Sequence, residues 1–285
     1  MKKGYIKVTG GKIWYKIIGE EKSKTPLLIL HGGPGIPHDY LEGLGVLADE
    51  RPVIFYDQLG CGNSDKPKDK NLWTLERYVE ELDRVRRFLK TESLHIFGQS
   101  WGTMLAVEYM LTGKQSGIKS LILSGPALSV SRWIKDQRAY LKELPEATQR
   151  AVKECEKKRD FKSKKYQEAI REYYRKHVCR MDPWPDCLKR SIGKMSNDLY
   201  EYMCGPSEFT LSGTLKNFER ADKLFNIKVP VLYTCGRYDE ATPASTSYYK
   251  SLTPGAKMVI FEDASHEHHL EKKEEFLKVI REFLR

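Results

Sequence analysis

No stretch of this chain approaches the ~20 consecutive apolar residues that a bilayer-spanning helix requires. The start, Met1-Lys2-Lys3, is basic, but Gly4-Tyr5-Ile6-Lys7-Val8 lacks the apolar core of a secretory signal. Both absences point to a cytoplasmic protein. Cysteine is scarce as well: Cys61, Cys155, Cys179, Cys187, Cys204 and Cys235 form no Cys-x-x-Cys pair and are too sparse for a disulfide framework. They are expected to be reduced and mostly core filler. Cys235 lies beside a motif described below, which makes it a candidate reporter of the site to thiol reagents. The chain also lacks internal repeats, low-complexity tracts and any nucleic-acid module signature.

Charge is plentiful but mixed. Lys and Arg number 49 against 39 Asp and Glu, a net +10. Most of the excess falls in residues 151–195, with fourteen basic against seven acidic side chains. There the signs alternate, as in Glu154-Cys155-Glu156-Lys157-Lys158, which is the pattern of a solvated helical face and not of a nucleic-acid surface.

At 285 residues the chain fits one large domain or a core with an insertion. Tyr5–Val8 and Ile13–Ile17 flank Thr9-Gly10-Gly11-Lys12, which reads as a β-hairpin. Short apolar runs then alternate with helical patterns. The strand-like runs are 27–30, 53–56, 94–97, 121–123, 231–234 and 258–261; the helical stretches lie near 74–90, 101–113, 243–252 and 267–285. This alternation predicts an α/β fold with a mostly parallel sheet of about eight strands, covered on both faces. Between Pro126 and about Asp222 it stops, and the chain becomes rich in Lys, Glu, Arg and Tyr, with a break at Met181-Asp182-Pro183-Trp184-Pro185. The expected organisation is a core in two parts, 1–126 and 222–285, with a helical cap, 127–221, over the sheet edge where ligands bind in such folds.

Chemistry enters at Gly98-Gln99-Ser100-Trp101-Gly102, directly after the run Leu94–Phe97 and before a helical pattern. Gly-x-Ser-x-Gly at a strand-to-helix turn holds a serine in a strained conformation with its hydroxyl exposed. A serine becomes nucleophilic only beside a base that an acid orients. In the chain order nucleophile, acid, base, a downstream strand ends at Gly236-Arg237-Tyr238-Asp239 and the last at Asp263-Ala264-Ser265-His266. The expected triad is Ser100, Asp239 and His266. Asp263 is the alternative acid, and His268 and His269, which would cap or decorate the following helix, leave open a metal-binding reading of the cluster. Acyl transfer also needs oxyanion donors. His31-Gly32-Gly33-Pro34-Gly35 closes the third strand, so the N–H groups of Gly33 and Trp101 are the candidates, although an ordinary glycine-proline loop would read alike.

Taken together, His31–Gly35, Asp57-Gln58-Leu59-Gly60-Cys61-Gly62-Asn63-Ser64, the serine motif and the acid and histidine segments resemble the proline iminopeptidase family of α/β-hydrolases, nearly end to end. Gly205-Pro206-Ser207-Glu208-Phe209-Thr210 brings the likeness closest to the tricorn-interacting aminopeptidase branch. The resemblance implies an α/β-hydrolase fold and a serine aminopeptidase that releases N-terminal proline and other, mainly apolar, residues from short peptides through an acyl-enzyme. It implies no cofactor, no metal, no membrane or nucleic-acid partner, and a functional association with a larger protease. It also implies that Glu208 and Glu240 bind the substrate's α-ammonium, although solvated surface acids would look the same in sequence. Many relatives carry arginine at the position of Leu59 and glycine at that of Gln99, a departure that argues for breadth. Trp133, Tyr140 and Trp184 are candidate pocket walls. An amino-acid amidase or aminoacyl esterase would use the same triad, and a general carboxylesterase or lactonase would need no acidic clamp.

Overall fold

Adjacent residues of Leu27-Leu28-Ile29-Leu30 enter different cores, and that alternation organises the molecule. Leu28 and Leu30 join a cluster of 41 buried residues, whereas Leu27 and Ile29 join one of 20. Successive side chains of a strand point to opposite faces, so a strand apolar at every position must be covered on both. The computed structural model describes all 285 residues and supplies that cover. One sheet contains β1 (Lys2–Val8), β2 (Gly11–Ile18), β3 (Leu27–Leu30), β4 (Val53–Tyr56), β5 (Leu94–Gln99), β6 (Ile118–Ser124), β7 (Val231–Gly236) and β8 (Lys257–Phe261). The strand order is β1-β2-β4-β3-β5-β6-β7-β8. β1 and β2 form the expected hairpin and β2 runs antiparallel to β4, while all remaining pairs are parallel. Six strands therefore end on one edge.

α1 (Leu75–Leu89) and α2 (Trp101–Leu111) pack on the face of the larger cluster. Between β6 and β7 lie α3 (Val130–Lys142), α4 (Glu146–Lys158), α5 (Lys164–His177), α6 (Asp186–Gly193) and α7 (Asn197–Met203). The break at 181–185 separates α5 from α6. This helical insert has a core of its own, ten buried residues centred on Tyr166, Tyr173 and Phe209. It is also tied to the segment that follows β3: the Tyr40 N–H donates to Ser191 Oγ at 2.9 Å, and Ser191 Oγ donates to the Pro37 carbonyl at 2.9 Å. α8 (Pro243–Leu252), α9 (His268–Glu271) and α10 (Lys273–Phe283) complete the chain. The single helix expected from 267 onward is thus divided at Lys272.

A second difference lies at His38–Asp49, a 3-10 stretch that no amphipathic α-helical pattern announces. Its buried leucines, Leu41, Leu44 and Leu47, recur every three residues, which is the repeat of the tighter helix. With Phe276, Leu277 and Ile280 of α10 they close the smaller core.

The start of α1 braces the segment 57–64. Thr74 caps the helix by accepting from the Arg77 N–H at 3.3 Å. Arg77 is paired with Glu81 one turn on, and both are buried. The Glu81 carboxylate also accepts from the Leu59 N–H at 3.3 Å, and Tyr78 Oη donates to the Leu59 carbonyl at 3.0 Å. Leu59 therefore sits in the core as an anchor of this loop. Glu81→Ala leaves a buried guanidinium without its partner and should destabilise the protein by about 3–5 kcal/mol. Urea unfolding measures this, and a loss below about 1 kcal/mol would show that solvent or another group compensates.

Candidate active site

The chain turns sharply between β5 and α2, and Ser100 sits at the turn with φ 53° and ψ −120°. A non-glycine residue there is strained and persists only where its surroundings enforce it. The neighbours do so by lacking side chains. A Cβ on Gly98 would meet the Gly102 carbonyl oxygen at 2.4 Å, and one on Gly102 would meet that of Leu30 at 2.2 Å. The Ser100 N–H donates to the Ser124 carbonyl at 2.9 Å, and Thr103 Oγ1 donates back to the Ser100 carbonyl at 2.6 Å.

Asp239 and His266 follow β7 and β8 on the same sheet edge, and the structure brings them together. His266 Nδ1 lies 2.7 Å from Asp239 Oδ1. Asp239 also accepts from the N–H groups of Ala241 at 2.7 Å and Gly236 at 3.2 Å. Burial opposes its charge, but His266 and His268 outweigh burial and hold the carboxyl down at about 2. Asp263, the alternative acid, is exposed and lies 3.8 Å from Lys272. His266 Nε2 has no hydrogen-bond partner, and the imidazole lines one cavity with Ser100. Bonds between nucleophile and base are often open before substrate arrives.

The other two histidines do not decorate a helix surface. Both are buried. His268 Nε2 sits 2.9 Å from Ser124 Oγ and 3.0 Å from Thr234 Oγ1, and His269 Nε2 lies 3.1 Å from the Tyr40 carbonyl. His268 Nδ1 is also 3.6 Å from Asp239, so it supports the acid from behind. α9 turns inward toward the sheet, and the sequence pattern gives no sign of that.

Gly33 and Ser100 line the same two cavities, and Trp101 opens α2. The Gly33 N–H donates to no other backbone group, and the first N–H of a helix has no partner within it. Both amides are thus free to meet an oxyanion. Gln58 links the segments that carry them. Trp101 Nε1 donates to Gln58 Oε1 at 2.8 Å, the Gln58 N–H donates to His31 Nε2 at 2.9 Å, and Gln58 Nε2 donates to the His31 carbonyl at 3.2 Å. Asp57 fixes the same loop, accepting from the N–H groups of His38 at 3.1 Å and Asn63 at 2.9 Å. Burial opposes the Asp57 charge too, but these bonds and His38 outweigh it and hold the carboxyl at about 2.

Two recesses meet at Gly33, Ser100, Tyr200 and Glu208. One, of about 50 Å³, is mostly apolar and walled by Trp133, Val130 and Leu215. The other, of about 290 Å³, contains His266, Glu240, Glu267 and Trp184. Tyr140 lines neither; it stacks on His177 at 3.8 Å. Glu208 accepts from Tyr200 Oη. Glu240 is buried, its carbonyl accepting from Gln137 Nε2 at 2.8 Å and its carboxylate from Tyr173 Oη at 3.4 Å. Its Oε1 lies 3.6 Å from His266 Nε2. Burial raises both glutamates, and repulsion from Glu208 raises Glu240 further. Burial works against the imidazolium, yet Asp239 and Glu240, with Glu267 behind them, push His266 up to about 10.

Sequence reasoning missed Tyr200, Glu267 and the bracing role of Gln58. Only Gln58 had a signal, its place in the Asp57–Ser64 segment. Cys235 is fully buried and burial pushes its thiol up, so it cannot serve as the expected reporter to thiol reagents.

The family model for the alpha/beta hydrolase fold matches residues 25–273. The chain is 47% identical over 282 residues to a proline iminopeptidase of Heyndrickxia coagulans, covering 99% of this chain and 98% of that protein. It is 37% identical over 289 residues to a proline iminopeptidase of Saccharolobus solfataricus, covering 100% and 92%. The crystal structure of a proline iminopeptidase from Mycobacterium smegmatis superposes with a TM-score of 0.92 at 34% identity, covering 99% and 97%.

Gln58→Ala frees the Trp101 ring and the His31 carbonyl without touching the triad. It should lower kcat on the order of 10²-fold with little change in KM, because misplaced donors cost most in the transition state. Steady-state kinetics on a chromogenic substrate reads this directly; a change in KM alone would mean the link serves binding.

Proposed function

The chain belongs to the proline iminopeptidase family of α/β-hydrolases, and on that basis we propose that it is a serine aminopeptidase in which Ser100, His266 and Asp239 form the triad. The observation that carries this reading is the placement of Glu208 and Glu240 around the cavity that Ser100 and His266 share. Carboxylates leave water only if they are paired. Here they lie within a peptide-sized site and form no ion pair with a lysine or arginine, so a substrate α-ammonium is the partner they lack.

The N-terminal residue places its ammonium between Glu208 and Glu240 and its side chain in the apolar recess beside Trp133. Ser100 Oγ attacks the first carbonyl while His266 takes its proton, and the N–H groups of Gly33 and Trp101 receive the oxyanion. His266 then gives the proton to the leaving nitrogen. Water, activated by His266, hydrolyses the acyl-enzyme. An ammonium also draws the Glu240 charge away from His266 Nε2, so the imidazole becomes a neutral base as the correct substrate binds.

The cap motif Gly205–Thr210 supports the tricorn-interacting branch, and with it acceptance of several apolar N-terminal residues and trimming of peptides released by a larger protease. Six free cysteines suit a reducing, cytoplasmic compartment.

Hydrolysis of prolyl and alanyl arylamides beside their N-acetylated forms tests the reading. The free amines should be cleaved, and Ser100→Ala should remove on the order of 10⁵–10⁶-fold of the activity. Acetylation should cost about 10²–10³-fold in kcat/KM, because it leaves the clamp carboxylates buried and unpaired. Equal turnover of both forms would make the protein a general hydrolase.

A further inference from the structure

The larger cavity contains a carboxylate that the mechanism above does not use. Glu267 follows His266 directly, is only 5% exposed, and its Oε2 has no hydrogen-bond partner. The nearest cation candidate, His269 Nδ1, is 3.6 Å away, and burial beside His268 keeps that ring neutral. His266 and Glu267 line this cavity and not the small apolar recess. Since His266 protonates the leaving nitrogen, the leaving group must depart on this side.

The exposed part of the cavity lining carries the opposite charge. Arg171 of α5 belongs to it, is exposed, and its guanidinium forms no ion pair or hydrogen bond within the chain. Arg171 and Trp184 also line an adjoining groove, where Arg175, Arg180 and Lys189 outnumber Asp182. The cavity thus runs from a buried acid beside the general base, along apolar walls such as Trp184 and Leu188, to a cationic mouth. A short peptide released from its N-terminal residue has the complementary layout, with an amine at one end and a carboxylate at the other.

We propose that this cavity is the leaving-peptide site, with Glu267 receiving the new amino group and Arg171 the terminal carboxylate, so that free-acid di- and tripeptides are preferred over their amides and over amino-acid amides or esters. The inference rests on the aminopeptidase reading above. When the scissile C–N bond breaks, its electron pair stays on nitrogen, which takes the proton carried by His266. The neutral amine then takes a second proton from Glu267, whose carboxyl burial raises to about 8. It departs as an ammonium paired with that carboxylate, and water reprotonates Glu267 after release.

The test compares kcat/KM for Pro-Gly-Gly, its C-terminal amide and a prolyl arylamide, in the intact protein and in Arg171→Ala, Arg171→Lys and Glu267→Gln. The intact protein should favour the free acid over the amide about tenfold, a typical value for one charge-assisted contact. Arg171→Ala should bring that ratio to about one, and Arg171→Lys should restore part of it. Glu267→Gln should lower the ratio of peptide to arylamide turnover about tenfold. An acid-to-amide ratio near one in the intact protein, or one that survives Arg171→Ala, overturns the proposal. So does a peptide-to-arylamide ratio unmoved by Glu267→Gln. Failure to cleave any of the three substrates would instead remove the aminopeptidase reading itself, and this inference with it.

Discussion

Three buried or half-buried acids, Glu208, Glu240 and Glu267, line one cavity with the His266 imidazole, and the rest of the site is arranged around that concentration of carboxyl groups. Desolvated like charges repel strongly, so such a cluster holds protons of its own or takes up a cation. In the free protein His266 lies 2.7 Å from Asp239 and 3.6 Å from Glu240, and its raised pKa follows from these two carboxyl groups. The triad therefore cannot be understood apart from the clamp. A base that burial alone would discharge is held charged first by Asp239 and then by Glu240, one of the two glutamates proposed to bind the substrate.

The fold divides the work between two bodies. The parallel sheet brings Ser100, Asp239 and His266, the proposed triad, to one edge, because β5, β7 and β8 end there. The cap supplies Glu208 and Tyr200, and it also fixes the core residue Glu240 through Gln137 and Tyr173. On the proposed mechanism, recognition belongs to the interface of core and cap, while bond breaking belongs to the sheet. Change in the cap can alter which N-terminal residue is accepted without disturbing the triad.

Much of the core was legible in the chain. Apolar runs alternating with helical patterns announce a two-faced sheet, and Gly98 and Gly102 announce the turn because each fills a place where any Cβ would strike a carbonyl. Asp239 and His266 stand out because strands end at them. What stayed hidden depends on packing across the sequence. The 3-10 repeat of Leu41, Leu44 and Leu47 resembles no amphipathic α-helix. The inward turn of His268 and His269 follows from α9 docking on the sheet, and the burial of Cys235 follows from its place on β7. Gln58 reads only as part of a motif until the indole of Trp101 is seen on it. Glu267 is one acid among many until the cavity is there to line.

The central claim is that a substrate ammonium releases His266 from the carboxylates that hold it charged. Nitrogen NMR of histidine-labelled Ser100→Ala protein, titrated with pH in the presence and absence of Pro-Gly, tests it most directly. The account predicts that His266 titrates far above the ordinary value of about 6.5 in the free protein and falls toward it when the dipeptide is bound. A His266 pKa that is ordinary in the free protein, or that stays the same or rises on binding, would contradict it.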